Sequence, residues 1–144
     1  MPKSTATCNA VLALLFNATA IPGLAENDAS SPVTSLYVSL HEGDPGVGND
    51  QTTNETDYTN YARVAVVRTS SGWTVPSGGA TANAALIQFP QCGASGATIT
   101  HVAIGTAASG AGTVLYSGAL NSPLAVANLI QPQFAAGDLD VAET

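Results

Sequence analysis

Charge is what this sequence most lacks. Its 144 residues include three cations (Lys3, Arg63 and Arg68) and ten carboxylates. Charged residues make up 9% of the chain, against about 25% in ordinary soluble proteins. With a net charge of −7, three scattered cations cannot supply the phosphate contacts that nucleic-acid binding needs, so no nucleic-acid partner is expected. Cysteine is nearly absent too. Cys8 and Cys92 stand outside any metal or redox motif and read as reduced, buried thiols. A Cys8–Cys92 bridge is the alternative, and the sequence does not place the two close together. No apolar run is long enough to cross a membrane as a helix, and no membrane partner is expected.

What is present is apolar and small. Hydrophobic residues make up 45% of the chain, with 14 glycines and 8 prolines. One domain's worth of chain can bury a real core, and the polar surface must be largely Ser, Thr, Asn, Gln and Gly. Burying hydroxyls and amides against a partner costs far less than burying charges, so the composition suits permanent assembly better than life as a free monomer.

Ser4 or Thr5 can cap a helix running to about Asn17, stopped by Ile21-Pro22-Gly23. Cys8, Val11, Leu12 and Leu15 share one face of it, with Asn9 and Ala13 opposite. The run Ala10–Phe16 followed by Ala18-Thr19-Ala20 imitates a secretion signal, but its apolar stretch is short and the segment reads as a helix. Residues 1–32 therefore form a helical arm with a polar connector from Glu26 to Pro32. Residues 33–144 form a mostly β domain. There the period becomes two: Leu36, Val38 and Leu40 oppose Tyr37, Ser39 and His41. A polar loop from Glu42 to Asn60 follows. Further strands are expected at Tyr61–Thr69, Trp73–Val75, Ala85–Phe89, Thr98–Ile104, Val114–Ser117, Leu124–Ile130 and Leu139–Val141. About eight short strands with Gly and Pro punctuation indicate one antiparallel, jelly-roll-like β-sandwich carrying a short N-terminal α-helix.

Motifs for catalysis are missing. Gly93-Ala94-Ser95-Gly96 lacks nucleophile-elbow spacing, and Gly46-Val47-Gly48 has no phosphate-loop lysine. His41 and His101 sit on expected strands as ordinary sheet histidines. No enzyme, cofactor or catalytic residue is expected. Glu42, Asp44, Asp50, Glu55 and Asp57 crowd one loop, and oxygen ligands at that density can hold calcium. The spacing is not that of an EF-hand, and Asp44-Pro45-Gly46 reads as a turn, so no metal is expected. Arg63 and Arg68 should each form a defined pair, with Asp57, Glu55 or a neighbouring subunit. Trp73 and the tyrosines at 37, 58, 61 and 116 read as core and sheet edges, with a sugar-binding shelf as the alternative.

The run Leu40-His41-Glu42-Gly43-Asp44-Pro45-Gly46, then Asn54-Glu55, Tyr58 and Tyr61-Ala62-Arg63-Val64, resembles a group of small tailed-phage structural proteins. Gly72-Trp73, Phe89-Pro90, Ile104-Gly105, Tyr116-Ser117-Gly118 and Ala136-Gly137 extend the likeness across Leu36 to Val141. The resemblance implies a virion component, made in the host cytoplasm. A net charge of −7 suits the outer surface of the particle better than contact with packaged DNA. Two stations compete. A head decoration (cement) protein would bridge major capsid protein subunits, and the short single domain and helical arm favour this station. A tail fibre would contact the host surface. Assembly with itself is expected, with a trimer or another cyclic cluster at a lattice axis as the favoured unit. The expected contact residues are Val11, Leu12 and Leu15 on the helix, and Asp44, Asn54, Glu55, Tyr58 and Tyr61 in the loop region. Arg63 and Arg68 would hold geometry.

Overall fold

The computed structural model describes residues 3–21, 25, 32–47 and 50–144. Pro22 and Gly23, the connector from Glu26 up to Pro32, and Gly48 lie outside the described residues. Among the described residues the fold is mostly antiparallel β with one short helix, as the period change demands. The elements are α1 (Thr5–Asn17), β1 (Ser35–His41), β2 (Val64–Val67), β3 (Ala80–Ala82), β4 (Ile87–Gln88), β5 (Ala97–Gly105), β6 (Val114–Val126), β7 (Gln133–Phe134) and β8 (Asp140–Ala142). The chain divides into two units, one of Met1–Ser35, Val66–Ile87 and Phe134–Thr144, the other of Leu36–Ala65 and Gln88–Gln133.

In the first unit α1 is capped as its sequence requires. The Ser4 hydroxyl accepts the Thr7 N–H at 3.2 Å, satisfying one of the orphan donors of the first turn. The stop is Ala18, whose left-handed φ of 52° turns the chain and lets its N–H reach Ala13 O. That ending needs neither Pro22 nor Gly23. The buried stripe is Cys8, Leu12 and Phe16, one residue per turn. Phe16 meets Trp73 edge to face with centroids 4.8 Å apart, and neither ring touches solvent. Gly72, the residue before Trp73, has no room for a side chain, because a Cβ there would stand 2.1 Å from Val67 O. β3 and β8 pair antiparallel, Thr81 opposite Val141. The buried Asn83 side chain closes the unit: its Nδ2 donates to Ala85 O and Ala135 O, and its Oδ1 accepts the Leu139 N–H.

The second unit carries most of the four-stranded sheet, ordered β2-β1-β5-β6. β1 and β5 run antiparallel with Leu40 opposite Val102 and His41 opposite His101. Leu36, Val38, Leu40, Ile99 and Ile104 are buried on this pair. Ser39 and His41 are buried on the other face as well, so β1 is enclosed on both sides near its end. β6 is one strand of 13 residues where two were expected. Its pairing with β5 shifts between Leu124 opposite Ile99 and Ala119 opposite His101. Residues Leu120 to Pro123 thus form a bulge opposite Thr100, and the strand continues beyond it.

Candidate functional site

The loop after β1 is held by its own short side chains. Asp44 Oδ1 accepts the Gly46 N–H at 2.8 Å, and Asp50 Oδ1 accepts the Thr52 N–H at 2.9 Å. These are Asx turns, the local chemistry that makes Asp a turn residue. The Thr52 hydrogen bonds also hold the Asp50 carboxyl below its ordinary pKa. Asn54 Nδ2 donates to Asp44 O at 2.8 Å, and Asn54 O accepts the Glu42 N–H. Thr56 N–H then donates to Leu40 O, so the loop folds back along the end of β1.

Arg63 and Glu55 tie that fold down. The guanidinium grips the carboxylate with two bonds, Nε to Oε1 and Nη2 to Oε2, each 2.7 Å. Its remaining donors reach Ala107 O at 2.9 Å and Gly110 O at 2.7 Å, fastening the loop between β5 and β6. The Tyr61 hydroxyl donates to Glu55 Oε1 at 2.8 Å and accepts the Leu40 N–H at 3.0 Å. The arginine side chain is 3% exposed and the glutamate 14%. A fork-to-fork pair this far from water is fixed in geometry and costly to break by removing one partner, because the other is left charged and buried. The Glu55 bonds raise the Arg63 pKa, and burial raises that of Tyr61. Gln51, fully buried, adds a neutral strut: its Oε1 accepts the Ala107 N–H, and its Nε2 donates to Tyr37 O. Gly105 faces that amide, and a Cβ there would come within 2.2 Å of it.

Above the network lies a shallow acidic cleft of about 400 Å³, lined by Glu42, Gly43, Asn54, Glu55 and Asp57. The described carboxylates do not converge into a group of three placed to hold a metal ion, and Glu55 is already engaged by Arg63. Beneath it, His41 Nδ1 donates to Thr53 O at 2.9 Å, which leaves Nε2 to accept from the Ser39 hydroxyl at 2.9 Å. This serine–histidine contact is wholly buried, out of reach of any substrate atom. Burial lowers the His41 pKa, opposed by the Thr53 bond and the Glu55 charge.

The remaining expected contact residues are arranged differently from their sequence reading. Leu12 is fully buried and presents no surface, whereas Val11 and Leu15 are half-buried. Asn9, expected to face outward, accepts the Gly79 N–H on its Oδ1 at 2.6 Å. Tyr58 is buried with its hydroxyl donating to Pro90 O at 2.8 Å, and burial pushes its pKa up to about 12. The sugar-shelf reading of Trp73 is overturned, because the indole has no exposed face on which a sugar ring could stack. Arg63 pairs with Glu55 as expected. Arg68 reaches neither Glu55 nor Asp57 by any bond described; its guanidinium donates to Leu14 O, Leu15 O and Val33 O at 2.5–2.6 Å. Gln51 and Asn83 were invisible as structural keystones, since an isolated amide in a polar segment carries no spacing signal. Both cysteines are free and buried.

This apolar, sparsely charged, antiparallel β chain is a phage virion structural protein. Residues 2–142 match the family described as podophage GP4 fiber I protein gp80, and the chain belongs to that family. No curated protein matches it.

Proposed function

We propose that the protein is a building block of a tail fibre, acting mechanically and without catalysis on the outside of the particle. The observation that carries this is the family match, which spans residues 2–142 and whose description names a fibre protein. The bonding pattern supports it. The loop after β1 is tied down by a buried ion pair and main-chain bonds, so it offers a pre-shaped acidic surface at little ordering cost. The cleft residues Asp57 and Glu42, with Asp44 and Asn54 beside them, are the polar groups this surface presents to a host or virion partner.

Capsid decoration, with the major capsid protein as partner, is the second reading, and the burial of Trp73 is the observation that favours it over a glycan-binding fibre tip. Copy number separates the two. Quantitative mass spectrometry of purified particles should find this chain at a few per cent of the major capsid protein, and antibody labelling should mark the tail. A ratio near one, or about one third, with label over the head would overturn the fibre reading in favour of decoration.

A further inference from the structure

Every cation and carboxylate of the chain lies before Thr69 or after Gly137. β6 falls inside this charge-free stretch, and it is an edge strand, bonded to β5 on one side alone. Ser117, Gly118 and Ala119 are exposed, as are Asn121 to Ala125. Because consecutive residues point to opposite faces, both faces of the strand meet solvent there as well as its edge. Among the described residues, the main chain from Ser117 to Ala125 makes no main-chain hydrogen bond except to β5.

A free row of N–H and C=O groups is a template for another strand, and proteins that remain monomers guard it with charge, proline or a covering element. The unbulged part of this edge carries no such guard; Pro123 stands only in the bulge. We propose that the free edge of β6 at Ser117–Ala119 is the surface through which two copies of this chain pair, strand against strand. Charge selects the occupant. With a net charge of −7, two copies repel wherever their carboxylates face one another, and least across a strand that has none. A basic partner would instead be drawn to the carboxylates, outside this stretch. Antiparallel pairing of a strand with its own copy is self-complementary and closes about a two-fold axis, giving a pair in place of the trimer expected from the sequence. Ser117, Gly118 and Ala119 are small enough for close approach. The pairing does not rest on the fibre reading: particle stoichiometry could move the protein to the head and leave this edge unchanged.

The test uses the full chain. Light scattering at tens of micromolar should give twice the protomer mass of 14.4 kDa. Ser117→Glu/Ala119→Glu and Ser117→Lys/Ala119→Lys should each run at the protomer mass with unchanged circular dichroism, because like charges meet across the axis. Mixing the two variants should restore the doubled mass. Amide exchange on the unmodified chain gives an independent reading, in which protection at Ser117–Leu120 should fall on dilution while β1 and β5 stay protected. A wild-type mass of one or three protomers, doubled mass in either charged variant alone, or exchange at β6 indifferent to dilution would each overturn the proposal.

Discussion

The two units solve the same problem, a buried arginine, in different ways. In the second unit Arg63 faces a carboxylate, and its leftover donors bind the carbonyls of a distant loop. In the first, Arg68 reaches the carbonyls of Leu14 and Leu15 at the end of α1, together with Val33 O. The last carbonyls of a helix lack partners within it and carry its negative dipole end. A guanidinium there satisfies orphan acceptors and complements the dipole at once. Burial lowers the Arg68 pKa, whereas the Glu55 bonds raise that of Arg63. The same side chain is a loop clamp in one place and a helix cap in the other, and neighbours rather than residue type decide which.

The sharpest break of this comparison is to strand a charge. Glu55→Ala leaves Arg63 buried without its carboxylate and should cost about 3–5 kcal/mol. Denaturant titration gives the size, and amide exchange should locate the loss first in the loops before Arg63 and around Ala107–Gly110. Trp73→Ala should cost a similar amount, about 3–5 kcal/mol from transfer and cavity terms, with lost protection centred on α1 and β3 instead. If both variants melt the same amides, the units do not respond separately. Arg68→Met keeps the aliphatic stem and removes the charged donors. It should cost about 1.5–3 kcal/mol and fray the last turn of α1 before the sheet.

A pH titration distinguishes the units without mutation. The His41 pKa is lowered in the folded chain, so the unfolded chain binds its proton first as pH falls through about 6.5. Stability contributed by neutral His41 is therefore complete above that value and declines below it, by at most about 1.4 kcal/mol per pH unit. Melting temperatures between pH 7 and 5 should show this slope, and His41→Asn should flatten it. The smallest effect is expected at the helix start, where Ser4→Ala should cost about 1 kcal/mol.

What could be read from sequence was whatever is written locally. The helix bounds followed from Ser4 and the apolar period, and β1 and β5 followed from strict alternation. The strand expected at Tyr61–Thr69 shrank to Val64–Val67 because Tyr61 and Arg63 are drawn into the Glu55 network, a contact that residue spacing does not encode. β3 and β7 were missed because three and two residues are too short to display an alternating pattern. They are strands only because β8 and β4 lie beside them. The turn-like residues Asn121-Ser122-Pro123 split β6 on paper, whereas the structure absorbs them as a bulge. Glu55 is one of the partners that the scarcity of cations suggests for Arg63, and that pair forms, whereas Tyr58 and Leu12, expected as contact residues, are interior. Of the two stations the resemblance left open, the family match favours the fibre, which the sequence reading had placed second.

The chain passes from one unit to the other at residues 35/36, 65/66, 87/88 and 133/134. Neither unit therefore corresponds to a continuous piece of gene. A recombination crossover at a single point inside the chain cannot separate the units: it always divides the first, and between residues 36 and 133 it divides both. Substitutions in the two units are inherited together, and any relative that exchanges surfaces with this one is expected to do so by local changes in loops such as Glu42–Asn60 rather than by trading a module.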